Sequence, residues 1–128
     1  MASSFLAEAA KSPQRQFALI DNGDSRIVVP RLELALDSAS RRKGLLGREG
    51  LEKGTGLVIA PSNAVHTFFM QFPIDIVFLH RSGRVLKIRH EVPARRLAVS
   101  ATAHAVLELP AGAANEAGLR VGQQLALQ

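Results

Sequence analysis

The stretch from Val65 to Leu79, VHTFFMQFPIDIVFL, constrains this chain more than any other. Pro73 lies inside it and forbids a continuous helix or an unbroken central strand, so the chain has to redirect there. The run that follows, Ile74 to His80, is almost continuously apolar, which is the pattern of a strand buried on both faces. A single carboxylate, Asp75, sits among Ile74, Ile76, Val77 and Phe78. Burying an ionised carboxylate is costly unless it is paired or hydrogen-bonded, so Asp75 is either a structural partner or part of a site.

Around this run the strand signals recur at short spacing. Arg81-Ser82-Gly83-Arg84 reads as a tight turn leading to a return strand, Val85 to Val92, and so to a hairpin. On that strand Leu86 and Ile88 are expected to face one way, and Lys87 and Arg89 to stand together on the outward side. Leu32, Leu34 and Leu36 alternate with polar or small residues behind Pro30, and Leu57 to Ala60 stops at Pro61. Asp37 offers an N-cap for a short helix reaching about Leu46, with Gly47 placed as its C-cap. Ala94 to Ala103 reads as an irregular connection. Ala105 to Leu109 reads as a strand, Ala111 to Ala117 as a short helix, and Gln124 to Leu127 as a closing strand. The expectation is a mainly β fold: a small, partly closed β-barrel-like single domain with two short helices over residues 16–128, preceded by a frayed segment, 1–15.

Composition narrows the chemistry. With 128 residues, one core is the natural outcome. The chain has no cysteine, which excludes disulfides, thiolate metal sites and Cys nucleophiles. No apolar run approaches a spanning helix and the first residues lack a signal-peptide pattern, so the expectation is a cytoplasmic protein with no membrane partner. The net charge of +5 is local: Arg81 to Arg96 holds six basic side chains against Glu91 alone, and the remaining acids and bases cancel. Arg84, Lys87 and Arg89 are therefore a candidate anion-contacting surface. Nucleic-acid contact through this segment is disfavoured, because no recognised module and no Tyr or Trp for stacking accompanies it.

Two carboxylates and a polar pair make the sharpest constellation. His66-Thr67 and Asp75 flank the bend at Pro73, where Asp75 could orient His66, or both could instead pin loop backbone. Glu108, between Leu107 and Leu109, is either a general acid or base partner for His66 or the partner of an arginine among Arg41, Arg42 and Arg48. Arg41, Arg42 and Lys43 read as the solvated face of their helix. Met70, Phe68, Phe69 and Phe72 read as core. No serine has a nucleophile-elbow context, and one His with one carboxylate does not make a metal signature, so no metal and no cofactor is expected.

The segments GLLGR (Gly44 to Arg48), VHTFFMQFPIDIVFL, SGRV (Ser82 to Val85) and LELPAG (Leu107 to Gly112) together resemble the family Domain of Unknown Function 192 over roughly Leu32 to Leu127. The resemblance implies that Thr67, Met70, Asp75, Gly83, Glu108 and Gly112 belong to a recurrent motif, which favours Asp75 and Glu108 over the other acids. The chain departs from that pattern with Phe69 in place of Trp, Leu46 in place of Met and Gln123 in place of Asp. It implies no established activity. The expected function is a non-catalytic binding module, a monomer holding a small polar or anionic ligand or a peptide near His66, Thr67, Asp75 and Glu108. Its rival is a small hydrolase or lyase using His66 with Asp75 or Glu108.

Overall fold

In the computed structural model, which describes residues 4–12 and 14–128, the Ile74 run is an interior strand of a seven-stranded sheet, one place in from its edge. All six of its residues are buried, as its two-sided apolarity requires. Among the described residues there are three short helices and nine strands, in the order α1 (Ala7–Lys11), β1 (Phe17–Asp21), β2 (Ile27–Ala35), α2 (Ser38–Lys43), β3 (Thr55–Ile59), β4 (Ala64–His66), β5 (Ile74–Leu79), β6 (Val85–Val92), β7 (Leu97–Val99), β8 (Ala105–Pro110), α3 (Ala113–Glu116) and β9 (Leu125–Leu127). The large sheet runs β6-β5-β8-β3-β2-β1-β9, and β4 and β7 form a separate ribbon. Neighbours are antiparallel except β2 and β3, whose parallel pairing uses α2 and its loop as the crossover.

The sheet curls until its two edges meet at one end. Arg84 bridges Gln124, Val85 N–H donates to Gln123 O at 2.9 Å, and Leu125 N–H donates to Gly83 O at 3.0 Å. The partly closed barrel expected from the strand pattern is thus observed. Its concave side holds Phe17, Leu19, Val58, Val77, Leu107 and Leu125 among others. A second core covers the convex side, where Leu57, Ile59, Ile76, Phe78 and Val106 lie under Leu45, Met70 and Ala98.

Four local expectations change. The N-terminal segment is not frayed where it is described: Leu6, the N-cap of α1, and Ala9 within it, three residues apart, are buried in the concave core. The parts of that expectation at residues 1–3 and 13 lie outside the described residues. Helix α2 is capped by Asp37, whose carboxylate accepts Ser40 N–H at 2.8 Å, but it ends at Gly44 rather than Gly47. Gly44 takes φ +47 there, which frees Leu45 to turn into the convex core. The connection after Pro93 contains β7, too short to show a period. Finally, the β5–β6 ladder shifts register between Phe78 and Leu79, which pair with Lys87 and Val85 and leave Leu86 as a bulge. Leu86 and Ile88 therefore join opposite cores, because an extra residue resets the alternation.

Gly83 is where closure is most exposed to substitution. It has φ +93, and an added Cβ would stand 2.3 Å from Leu125 O. Gly83→Ala combines left-handed strain with loss of the closing bonds and is expected to lower unfolding free energy by at least about 2 kcal/mol. Gly50→Ala, whose Cβ meets nothing within 4 Å, is expected to be neutral in the same urea titration.

Candidate functional site

Asp75 is fully buried, and its carboxylate is occupied by backbone. Oδ1 accepts Glu91 N–H at 2.8 Å and Gly112 N–H at 3.2 Å, while Oδ2 accepts Ala114 N–H at 2.8 Å. The first donor lies at the second irregularity of the β5–β6 ladder, where Glu91 takes φ +47; the other two lie at the start of α3. Thr67 is equally committed. Its hydroxyl donates to Pro93 O at 2.7 Å and accepts Arg96 N–H at 2.9 Å, and its N–H donates to Arg96 O at 2.8 Å.

Register separates the two candidate carboxylates. Asp75 pairs with Leu109, whose side chain belongs to the concave core, whereas Glu108 pairs with Ile76 and Leu57, which belong to the convex one. Side chains alternate across a strand, so Asp75 and Glu108 point to opposite sides of the sheet. His66 is exposed on the ribbon, on the Glu108 side. Of the four residues expected to converge, the structure brings together His66 and Glu108 only.

These two line one cleft of about 440 Å³ between α2, the loop after it and the ribbon. Glu108 is 4% exposed, and its Oε1 has no hydrogen-bond partner among the described residues. The arginine expected to neutralise it is engaged elsewhere: Arg48 makes a bidentate pair with Glu33, at 2.8 and 3.1 Å. Burial pushes the Glu108 carboxyl up to about 7, with the charge of Arg48 pulling the other way. Gly44 leaves room over this oxygen, since a Cβ there would lie 3.7 Å from Oε1. The rim is cationic. Arg42 and Lys43 are exposed, Arg41 is tied to Asp37 O and Pro61 O, and among the described residues Glu108 is the one acid lining the cleft.

Sequence patterning alone placed Arg42 and Lys43 on a plain solvated face; the cue to their place on the cleft rim was the glycine directly after them, which ends the helix beside Glu108. Met70 is both core and cleft wall. Phe68 and Phe69, expected in the core, are 43% and 86% exposed, because the turn after Thr67 puts Phe69 at φ +67 and swings both rings outward. On the basic strand, Arg84 and Arg89 are exposed, but Lys87 is drawn away, donating to Val99 O at 3.0 Å with its ammonium 5.9 Å from the Phe78 ring. Among the described residues no group of three or more His, Asp or Glu side chains is placed to hold a metal ion, and no helix is long and apolar enough to cross a membrane.

A curled, mainly β sheet with a carboxyl-floored cleft on its convex side is the class this geometry defines. The chain belongs to the DUF192 family, described as an uncharacterized ACR, whose family model matches residues 19–127. No curated protein matches it. A protein of unknown function from Novosphingobium aromaticivorans DSM 12444 is 27% identical, with a TM-score of 0.73 over 86% of this chain and 82% of its own. A protein from Sinorhizobium meliloti 1021, named a "putative transcription regulator", is 23% identical, with a TM-score of 0.74 over 86% of this chain and 90% of its own, and shares the fold.

Two substitutions separate the carboxylates. Asp75→Ala leaves the N–H groups of Glu91, Gly112 and the buried Ala114 without their acceptor and is expected to cost at least about 3 kcal/mol in urea unfolding. Glu108 behaves oppositely. Its folded pKa lies above the unfolded value, so the protein is most stable below about pH 4.5 with respect to this group and loses stability as pH rises to about 7. Glu108→Gln removes that loss, and its advantage over wild type is expected to grow by up to about 3 kcal/mol across this window, read from paired urea titrations.

Proposed function

We propose that this protein is a non-catalytic binding module whose cleft holds a small anionic ligand carrying a hydrogen-bond donor, such as a hydroxyl. The observation that carries this reading is Glu108 Oε1, a buried acceptor without a partner among the described residues, at the floor of a cleft with a cationic rim. A lone buried carboxyl oxygen costs roughly 1–3 kcal/mol, and a bound donor offsets that cost. Arg42, Lys43 and the His66 imidazole supply the counterpart for an anionic group at the mouth. Asp75 and Thr67, each already satisfied by backbone, act here as the frame.

The test is titration of the protein with glycolate, glycerol 3-phosphate and acetate, followed in amide proton–nitrogen spectra. The hydroxyl-bearing anions are expected to move the Gly44, His66 and Met70 signals, acetate to bind more weakly, and Glu108→Gln to lose at least tenfold in affinity. Unmoved cleft signals with all three, or unchanged affinity in Glu108→Gln, would reject the reading.

One observation favours the enzymatic alternative: Glu108 shares its cleft with His66 and titrates near the pH at which a general acid or base is effective. Sustained hydrolysis of a nitrophenyl ester, lost in His66→Ala at unchanged melting temperature, would replace the module with a small hydrolase.

A further inference from the structure

The ribbon of β4 and β7 and the turn that follows β4 expose apolar side chains that their own fold does not use. Leu97 is 63%, Val99 46%, Phe68 43% and Phe69 86% exposed. Ala98, paired with Val65, turns the other way into the convex core, so Leu97 and Val99 share the outward face with their partners His66 and Ala64. A core misfit does not account for this display, because the backbone itself is strained to make it. Phe69 has φ +67 and Arg95 φ +66, a region that bulky L residues enter at a cost.

Thr67 holds both left-handed residues in place. Its carbonyl accepts the N–H of Arg95 and of Met70, each at 3.2 Å, and its hydroxyl bridges Pro93 O and Arg96 N–H. One buried threonine thus fixes two loops whose tips are Phe68-Phe69 and Arg95-Arg96. Residues 64–70 and 93–99 contain no acid, and both arginines are exposed, the Arg96 guanidinium donating, among the described residues, only to the neighbouring carbonyls of Ala94 and Arg95.

We infer that this ridge is a docking surface for an acidic segment of a partner protein, which packs apolar side chains against Phe68, Phe69 and Leu97 and sets carboxylates against Arg95 and Arg96. Aromatic and arginine side chains held rigid before binding are the combination that concentrates affinity at protein interfaces. Two further occupants fit less well. A second copy meeting this face by two-fold symmetry brings like charges together. A fluid bilayer gains little from a backbone strained into one geometry.

The test is selection of a phage-displayed random dodecapeptide library on the full chain, followed by binding of the enriched sequence as a synthetic peptide. Enriched peptides are expected to place Asp or Glu around an aromatic or aliphatic anchor. Affinity is expected to fall at least tenfold in Phe69→Ser, to fall at least tenfold with loss of salt dependence in Arg95→Glu with Arg96→Glu, and to hold in Glu108→Gln. Phe69→Gly, which relieves the strain, is expected to melt at or above the wild-type temperature while losing the peptide.

Several outcomes overturn the inference: no enriched class, peptides that bind all variants alike, or a peptide lost in Glu108→Gln, which places it in the cleft. A lower melting temperature in Phe69→Gly makes the ridge structural. Phe69-dependent dimerisation in sedimentation velocity assigns it to a second copy. Phe69-dependent cosedimentation with vesicles of phosphatidylcholine and phosphatidylglycerol, not competed by peptide, assigns it to a membrane.

Discussion

The structure depends first on where the Asp75 carboxylate finds its protons. A carboxylate in a run as apolar as β5 is tolerated only when hydrogen bonds replace its lost hydration, and three backbone N–H groups do so. Each donor comes from a place that regular structure leaves short of acceptors: a register irregularity in the β5–β6 hairpin and the first residues of a one-turn helix. Dependence runs both ways. The carboxylate is affordable because the backbone is irregular there, and the backbone can be irregular because the carboxylate is there. Helix α3 is pinned over the end of the barrel, its Ala114 seals the concave core, and β8 is held against β5 beneath it.

Glu108 stands one register step from Asp75 and meets the opposite fate. Ile76 opposes Glu108 and Asp75 opposes Leu109, so the same pair of strands presents one carboxyl to each core. On the concave side the barrel end supplies donors. On the convex side Arg48, whose charge reaches Glu108, gives its planar fork to Glu33, a more exposed partner. That pair ties the loop after α2 to β2. A free energy cost that the neighbouring Arg48 could have removed is instead left standing, which is the physical reason to regard the cleft as a site and the Asp75 cluster as framework.

Much of the fold was legible in the residues, and the losses have local causes. The two-sided burial of β5, the hairpin to β6, the Asp37 cap and the barrel closure all follow from patterns longer than four or five residues or from a residue type with one dominant local use. Strands β4 and β7 are three residues each and show no period. Lys87 and Arg89 pair with Phe78 and Ile76 and so fall on one face of β6, but only Arg89 is exposed, and Leu86 and Ile88 part company at a bulge that no single residue announces. For the candidate site, residue type singled out Asp75 and Glu108 without revealing which was satisfied. Strand parity over a two-residue step, combined with the pairing of distant strands, decides that, and pairing is not written in either segment alone. Phe69 was misread because an aromatic residue next to buried ones is ordinarily core; its left-handed backbone is set by hydrogen bonds to Thr67 from Met70 and from Arg95, far along the chain.

The charge state of Glu108 links the cleft to its ligand in a definite sense. A ligand that donates a hydrogen bond to Oε1 favours the ionised carboxylate, so its affinity increases as pH passes upward through about 7. An anion held by Arg42 and Lys43 alone follows the opposite course, since protonating Glu108 removes the one negative charge lining the cleft. For a ligand with both features the two effects oppose each other. A hydrogen bond at contact range in a water-poor floor outweighs a longer-range repulsion at an open, screened rim. The net pH dependence of binding therefore reports the ligand's orientation: rising affinity with pH places its donor on Glu108, and falling affinity leaves it at the rim.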